Sequence, residues 1–312
     1  MKKAVDKRIL LAAAGVVVLI VLFLVLPLPG TPERTDGDRL VVAVSIVPQA
    51  GFVEAVGGDK VEVVVMVPPG ASPHTYEVTP DQMVKLSEAK MYAKVGSPME
   101  FEFTSLDKLI AANPDMLIVD CSEGIQLLEM DEHDHEHDDE QEYDHDHDHT
   151  GIDPHIWLSV RNAMKMVQNI CAGLVEVDPA NQVYYEQNCA AYLEELGELD
   201  REVTDILSGV QNRRFIVFHP AWGYFAHDYD LVQIAVEQGG KEPDDIEYRI
   251  RLIEEAREHD IRVVFLSPQY PVRSAEVIAD EIGGRVVLLD PLAKNFIANM
   301  RLVASAMSEA ME

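Results

Sequence analysis

The chain has 312 residues, 47% of them hydrophobic, and a formal net charge of −30, which is enough chain for two domains of ordinary size around a substantial core. A charge of this sign excludes nucleic-acid binding driven by phosphate neutralisation, because the electrostatic term would be repulsive. The same field favours the approach of cations.

The first element is a separate unit. Lys2, Lys3, Lys7 and Arg8 precede an apolar run from Ile9 to Leu26, and Pro27 to Asp38 reads as a polar spacer. This is the pattern of an export signal or membrane tether. With no small-x-small cleavage site near Leu26 and no lipid-attachment cysteine, an uncleaved anchor is expected, and the positive flank places the body outside the cytoplasm.

Short β-rich runs then alternate with helical stretches: Leu40 to Val47, Val61 to Val67, Met91 to Val95 and Met116 to Cys121, and later Phe215 to Phe218, Leu231 to Val236, Val263 to Leu266 and Arg285 to Leu289. Continuous Val/Ile runs separated by helices are the pattern of fully covered parallel strands. Four plus four predict an α/β protein of two lobes, each a four-stranded parallel sheet with helices. Between them lies a long helical region in two pieces, broken at Asp178-Pro179-Ala180-Asn181, where Asp178 is expected to act as an N-cap. The expected division is 1–38 for anchor and spacer, 39–157 for the first lobe, 158–210 for linking helices and 211–312 for the second lobe.

Within the first lobe, Asp131 to His149 holds six histidines and eleven carboxylates and no lysine, arginine or aliphatic residue. Such a segment is a solvated loop, and its alternating Asp-His offers partial divalent-metal sites with nothing to fix their geometry. His133, His135, His137, His145, His147 and His149 are therefore expected to capture metal weakly. The blander reading is an acidic low-complexity loop.

Four candidate ligands stand just past strand ends: His74 in Pro73-His74-Thr75, His155 in Asp153-Pro154-His155-Ile156-Trp157, His219 in Phe218-His219-Pro220, and Asp290 in Leu289-Asp290-Pro291. Open α/β sheets bind ligands beyond the carboxyl ends of their strands. Taken singly, each is as well read as a structural residue. Together, each beside a proline, they converge on one interlobe cleft, and three imidazoles with a carboxylate favour four-coordinate zinc over calcium, magnesium or manganese. A bound water in place of Asp290 is the competing reading of the fourth position.

The stretches Pro73 to Pro80, Asp153 to Leu158, His219 to Phe225 and Leu289 to Leu292 resemble the signature segments of zinc-type solute-binding proteins of ABC transporters, the ZnuA/TroA-like group, and the resemblance runs from Leu40 to the C-terminus. It implies two Rossmann-like lobes joined by a long rigid backbone helix starting near Ser159, with His74, His155 and His219 as histidine ligands and Asp290 at the carboxylate position. It further implies a monomeric receptor outside the cytoplasm that captures zinc and passes it to a membrane permease, with no enzymatic chemistry. Manganese-binding relatives carry Glu where His219 stands. The chain departs from the family in reading Leu266-Ser267-Pro268-Gln269 where a Glu often ends the seventh strand, and in a segment from Leu292 to Phe296 that looks shortened.

Two other readings of the same residues stay open: a zinc hydrolase, since three histidines and a water also form a catalytic shell, and a manganese-specific or adhesin-type member of the fold. Trp157, Trp222 and Tyr224 are expected to wall the cleft, His227 to be a partnered histidine in an aromatic helix, and His259 to sit at a helix C-terminus. Cys121, Cys171 and Cys189 are odd in number and lack CxxC spacing. Cys171 and Cys189 fall on neighbouring helical segments and could pair in an exported protein; buried thiols are the expectation.

Overall fold

The computed structural model describes residues 39–130, 151–237 and 246–311. The N-terminal apolar segment and the histidines of Asp131 to His149 lie outside the described residues. Among the described residues, no helix is long and apolar enough to cross a membrane.

The first sheet comprises β1 (Leu40–Val44), β2 (Val61–Val65), β3 (Met91–Lys94) and β4 (Leu117–Asp120), interleaved with α1 (Val47–Gly57), α2 (Pro80–Leu86) and α3 (Glu100–Ala112). The second comprises β5 (Arg214–Val217), β6 (Val232–Ala235), β7 (Val263–Leu266) and β8 (Arg285–Leu288), with α6 (Gly223–Asp228), α7 (Ile246–Glu258), α8 (Val272–Glu281) and α9 (Phe296–Met311) around it. Between the sheets run α4 (Val160–Val177) and α5 (Gln182–Ser208). All pairings are parallel, and the orders β2-β1-β3-β4 and β6-β5-β7-β8 are the same topology used twice.

The expected strands all form, but full cover holds only for the central ones. Val42, Ala43 and Val44 of β1, and Met91, Tyr92 and Ala93 of β3, have no exposed surface. The edge strands are half-covered, and Leu288 of β8 is 52% exposed. Gly173 lets α4 lie flat on the first sheet: a Cβ there would fall 2.4 Å from Val119 Cγ2.

The break between α4 and α5 lies where the sequence places it, with a different use of Asp178. Its carboxylate caps no amide and instead accepts from Asn181 Nδ2 at 2.6 Å and Tyr185 Oη at 2.7 Å, so the corner is clamped by side chains. Ser159 caps α4, its Oγ accepting from Asn162 N at 2.9 Å. The long connection is thus a helical hairpin, and only α5, buried along Leu196, Leu199, Val203 and Leu207, packs against both α1 and α9.

Behind the cleft the two halves meet directly. Phe52 and Phe296 pack edge to face at 5.2 Å, Lys294 Nζ pairs with Glu54 Oε1 at 2.8 Å, and Trp157 Nε1 donates to Pro291 O at 2.8 Å. One continuous apolar core runs from the first sheet through α5 to one face of the second sheet, while Ile216, Phe218, Val264 and Leu266 form a separate cluster on the opposite face. Anchored this way at the back, the strand ends meet at the front.

Candidate metal centre

Every polar group of the site follows the C-terminal end of a parallel strand, where such sheets leave backbone and side chains free to meet a ligand. His74 lies in the turn after β2, set by Ala71 N donating to Pro68 O and Thr75 N to Ser72 O. Pro73 O accepts from Phe101 N, which ties this turn to the start of α3. That contact brings Glu100, the first residue of α3, to His74: Nδ1 lies 2.7 Å from Glu100 Oε2.

His155 is held by its own short loop. Asp153 Oδ1 accepts from the His155 backbone N–H at 2.9 Å and lies 2.8 Å from its Nδ1, so one oxygen fixes both main chain and ring. Ser97 Oγ donates to Pro154 O at 2.5 Å, and Tyr224 Oη donates to Asp153 O at 3.1 Å. Asp153 packs so closely over α6 that a Cβ on Gly223 would sit 2.3 Å from Oδ2.

His219, just beyond β5, faces Glu237 from the end of β6, with Nδ1 2.6 Å from Oε2. Tyr270 stacks on the imidazole at 5.2 Å between ring centroids, and burial with the neighbouring Glu237 carboxylate pushes its hydroxyl pKa up. His155, His219, Asp153 and Glu237 are all buried, and His74 is partly exposed at the mouth.

The three rings therefore follow one rule: Nδ1 to a carboxylate, Nε2 inward. An Nδ1 that donates to a carboxylate leaves the Nε2 lone pair free, the state a metal ligand requires. His155 Nε2 and His219 Nε2 are 3.2 Å apart, and one nitrogen from each of His74, His155 and His219 lies within 4.8 Å of the others. Two nitrogens at zinc-bond length with a tetrahedral angle are separated by about 3.3 Å, so the His155–His219 pair stands at coordinating distance already. Burial pushes the His219 pKa down to about 4; the Glu237 hydrogen bond raises it and the neighbouring histidines lower it further, so the ring stays neutral at physiological pH. Burial pushes the Glu100 carboxyl up, but the hydrogen bond and charge of His74 outweigh it and hold the group below its ordinary value.

Asp290, the fourth sequence candidate, is not part of this group. Its Oδ1 accepts from Leu292 N at 2.9 Å and lies 3.4 Å from Gln269 Nε2, and its carbonyl accepts from Asn299 Nδ2 at 2.8 Å. Trp157, 5.3 Å from the His155 ring, and Tyr224 brace the His155 loop, whereas Trp222 is core against Phe225. His227 is exposed on α6 with its Nδ1 3.7 Å from Asp228 Oδ1, and His259 lies one residue past α7, where the sequence places it.

Sequence reasoning passed over Glu100, Asp153, Glu237 and Tyr270. Asp153 was visible two residues before His155, and Glu237 as a carboxylate directly after the Leu231 to Val236 run. Glu100, 26 positions from His74, carries no local signal. The loop after β7, which lacks the family's Glu, reaches the centre with Tyr270 instead.

Two parallel α/β lobes that present imidazoles to one another across a cleft define a two-lobed solute-binding protein for a metal cation. The family described as zinc-uptake complex component A, periplasmic (ZnuA), matches residues 42–310. The high-affinity zinc uptake system protein ZnuA of Bacillus subtilis (strain 168) is 33% identical over 228 residues, 72% of this chain and 70% of that protein. A crystal structure of ZnuA superposes with a TM-score of 0.79 at 42% identity, covering 88% of this chain and 100% of that one. A ZnuA deletion mutant with zinc bound superposes with the same score and identity, over 88% of this chain and 99% of that one. This chain belongs to the ZnuA family.

Proposed function

We propose that the protein is an extracytoplasmic receptor that captures zinc between its lobes, 39–157 and 211–312, and delivers it to the membrane permease of an ABC uptake system. The observation that carries this reading is the set of three imidazoles, two from one lobe and one from the other, each with Nδ1 on a carboxylate and Nε2 facing the other two. His74, His155 and His219 are the proposed ligands. The relatives named for zinc uptake and the zinc-bound deletion mutant support zinc as the cargo.

For the fourth position the proposal keeps Asp290, whose carboxylate would have to turn from the Leu292 amide to reach the metal. A bound water is the competing outcome. The receptor reading is preferred to a hydrolase because Glu100, Asp153 and Glu237 are each engaged by a histidine, which leaves none of them placed as a general base. The segment Asp131 to His149 is proposed as a weak auxiliary metal collector, and residues 1–38 as a tether that keeps a monomeric body beside its permease.

Competitive zinc titration of the 39–312 body, with metal analysis of the purified protein, tests the proposal. Zinc at about 1,000 times its dissociation constant adds roughly 4 kcal/mol by mass action and should raise the melting temperature clearly. No shift against a chelated control refutes the receptor reading. Asp290→Asn should weaken binding, though less than His74→Ala, His155→Ala or His219→Ala; unchanged affinity for Asp290→Asn assigns the fourth position to water.

A further inference from the structure

We propose that Cys171 and Cys189 form a disulfide in the exported protein, cross-linking the helix that covers the first sheet to the helix that joins the two sheets. The proposal rests on the extracytoplasmic location given above, because disulfides persist where the compartment is oxidising. The two cysteines lie on opposite arms of the α4–α5 hairpin. Cys171 Sγ is 3.8 Å from Tyr185 O, and in a helix that carbonyl faces the amide of the residue four positions on, which here is Cys189. The Cys171 thiol thus sits at the turn of α5 that ends in Cys189. Two cysteines so placed on the packed arms of a hairpin reach disulfide geometry through χ1 rotations, with no rebuilding of either helix.

The pair is also placed for the chemistry. Cys171 and Cys189 are 8% and 7% exposed, so both sulfurs lie at the edge of the core, whereas Cys121 has no exposed surface and its Sγ meets Gln49 Nε2 at 3.5 Å. Either thiol can open the exchange as its thiolate, and the steps are the same with the two exchanged. The oxidant is a disulfide donor, either a protein thiol–disulfide oxidase or a small oxidised dithiol. Cys189 thiolate attacks one donor sulfur, forming a mixed disulfide and releasing the other donor sulfur as a thiolate, which takes up the Cys189 proton. Cys171 then loses its proton and attacks the Cys189 sulfur, expelling the second donor thiolate. One S–S bond breaks and one forms; two electrons and two protons end on the donor.

The bond would make the first turns of α5 one body with the first lobe, since α4 is seated on β3 and β4 through Gly173. Any movement between lobes would then be taken up beyond Cys189, along the half of α5 that faces α9.

The test is alkylation counting on the full chain, exported to an oxidising compartment and purified without reductant. After denaturation in excess maleimide, intact mass should show one adduct before reduction and three after it, matching the three cysteines. Cys171→Ser and Cys189→Ser should each show two adducts without reduction, and Cys121→Ser none. Reduction should lower the melting temperature of the wild type and leave that of Cys171→Ser unchanged. Three adducts without reduction, in protein that has also been equilibrated with an oxidised dithiol buffer, would overturn the proposal, as would finding Cys121 among the protected residues. Zinc titration of the same preparations reads the receptor proposal separately: a missing disulfide with zinc binding intact refutes only the cross-link, and a formed disulfide without zinc binding refutes only the receptor.

Discussion

Replacing Glu237 probes whether the carboxylates behind the histidines set the metal affinity. Glu237 is 5% exposed and takes a hydrogen bond from His219 Nδ1 at 2.6 Å. Glu237→Ala removes the acceptor that fixes the His219 tautomer and ring plane and leaves a buried N–H without a partner. Losing such a partner costs a metal site about 10- to 100-fold in affinity, or roughly 1.4–2.8 kcal/mol. Glu237→Gln keeps an amide oxygen able to accept from Nδ1 and loses only the negative charge, so its loss should lie near the lower end. The assay is a competitive zinc titration against a chelator of known affinity at pH 7.5, with the apo melting temperature measured alongside. Glu237→Ala should also destabilise the apo protein by about 1–3 kcal/mol, because the orphaned N–H stays buried. A wild-type zinc affinity in Glu237→Ala would refute the reasoning, whatever the change in melting temperature.

The remaining predictions follow the same geometry. The apo protein should lose stability as pH falls from about 6.5 toward 4: His219 is depressed to about 4 in the fold, so above the unfolded value both states are neutral, and below it the unfolded chain binds the proton first. Acid titration of the apo protein monitored by circular dichroism checks this, and a His219→Asn variant with the same acid profile would contradict it. Deleting Asp131 to His149 should leave one tight zinc site in calorimetry and remove several weak ones; loss of the tight site would mean that the segment supplies ligands. Gly51→Ala should lower the melting temperature although alanine favours helix by about 1 kcal/mol, because the new Cβ would lie 2.4 Å from Lys294 O, where α1 meets the second lobe. A rise in melting temperature would show that this contact yields without cost.

The eight strands, the hairpin break at Asp178 and the three histidines could all be read from the chain because each rests on a local cause. A buried parallel strand needs a continuous Val/Ile run, a helix stops where Asp-Pro interrupts it, and a proline beside His74, His155 or His219 stiffens the backbone that carries the ring. The composition of Asp131 to His149 declares itself in the same way.

What only the tertiary structure decided is which groups stand behind those histidines. His219 meets Glu237 because β5 and β6 are neighbours, and His74 meets Glu100 because Phe101 N reaches back to Pro73 O. Those pairings depend on strand order and on loop docking, neither of which leaves a period in the sequence. The same holds for Asp290, which stands at the expected strand end yet gives its Oδ1 to the Leu292 amide, and for Tyr270, which reaches His219 from a loop whose sequence showed only that the family's Glu was missing. Side-chain type and backbone stiffness are properties of a short stretch of chain. The direction of a carboxylate is settled by whichever buried donor it can reach, and that donor is fixed only once both sheets and the hairpin between them have packed.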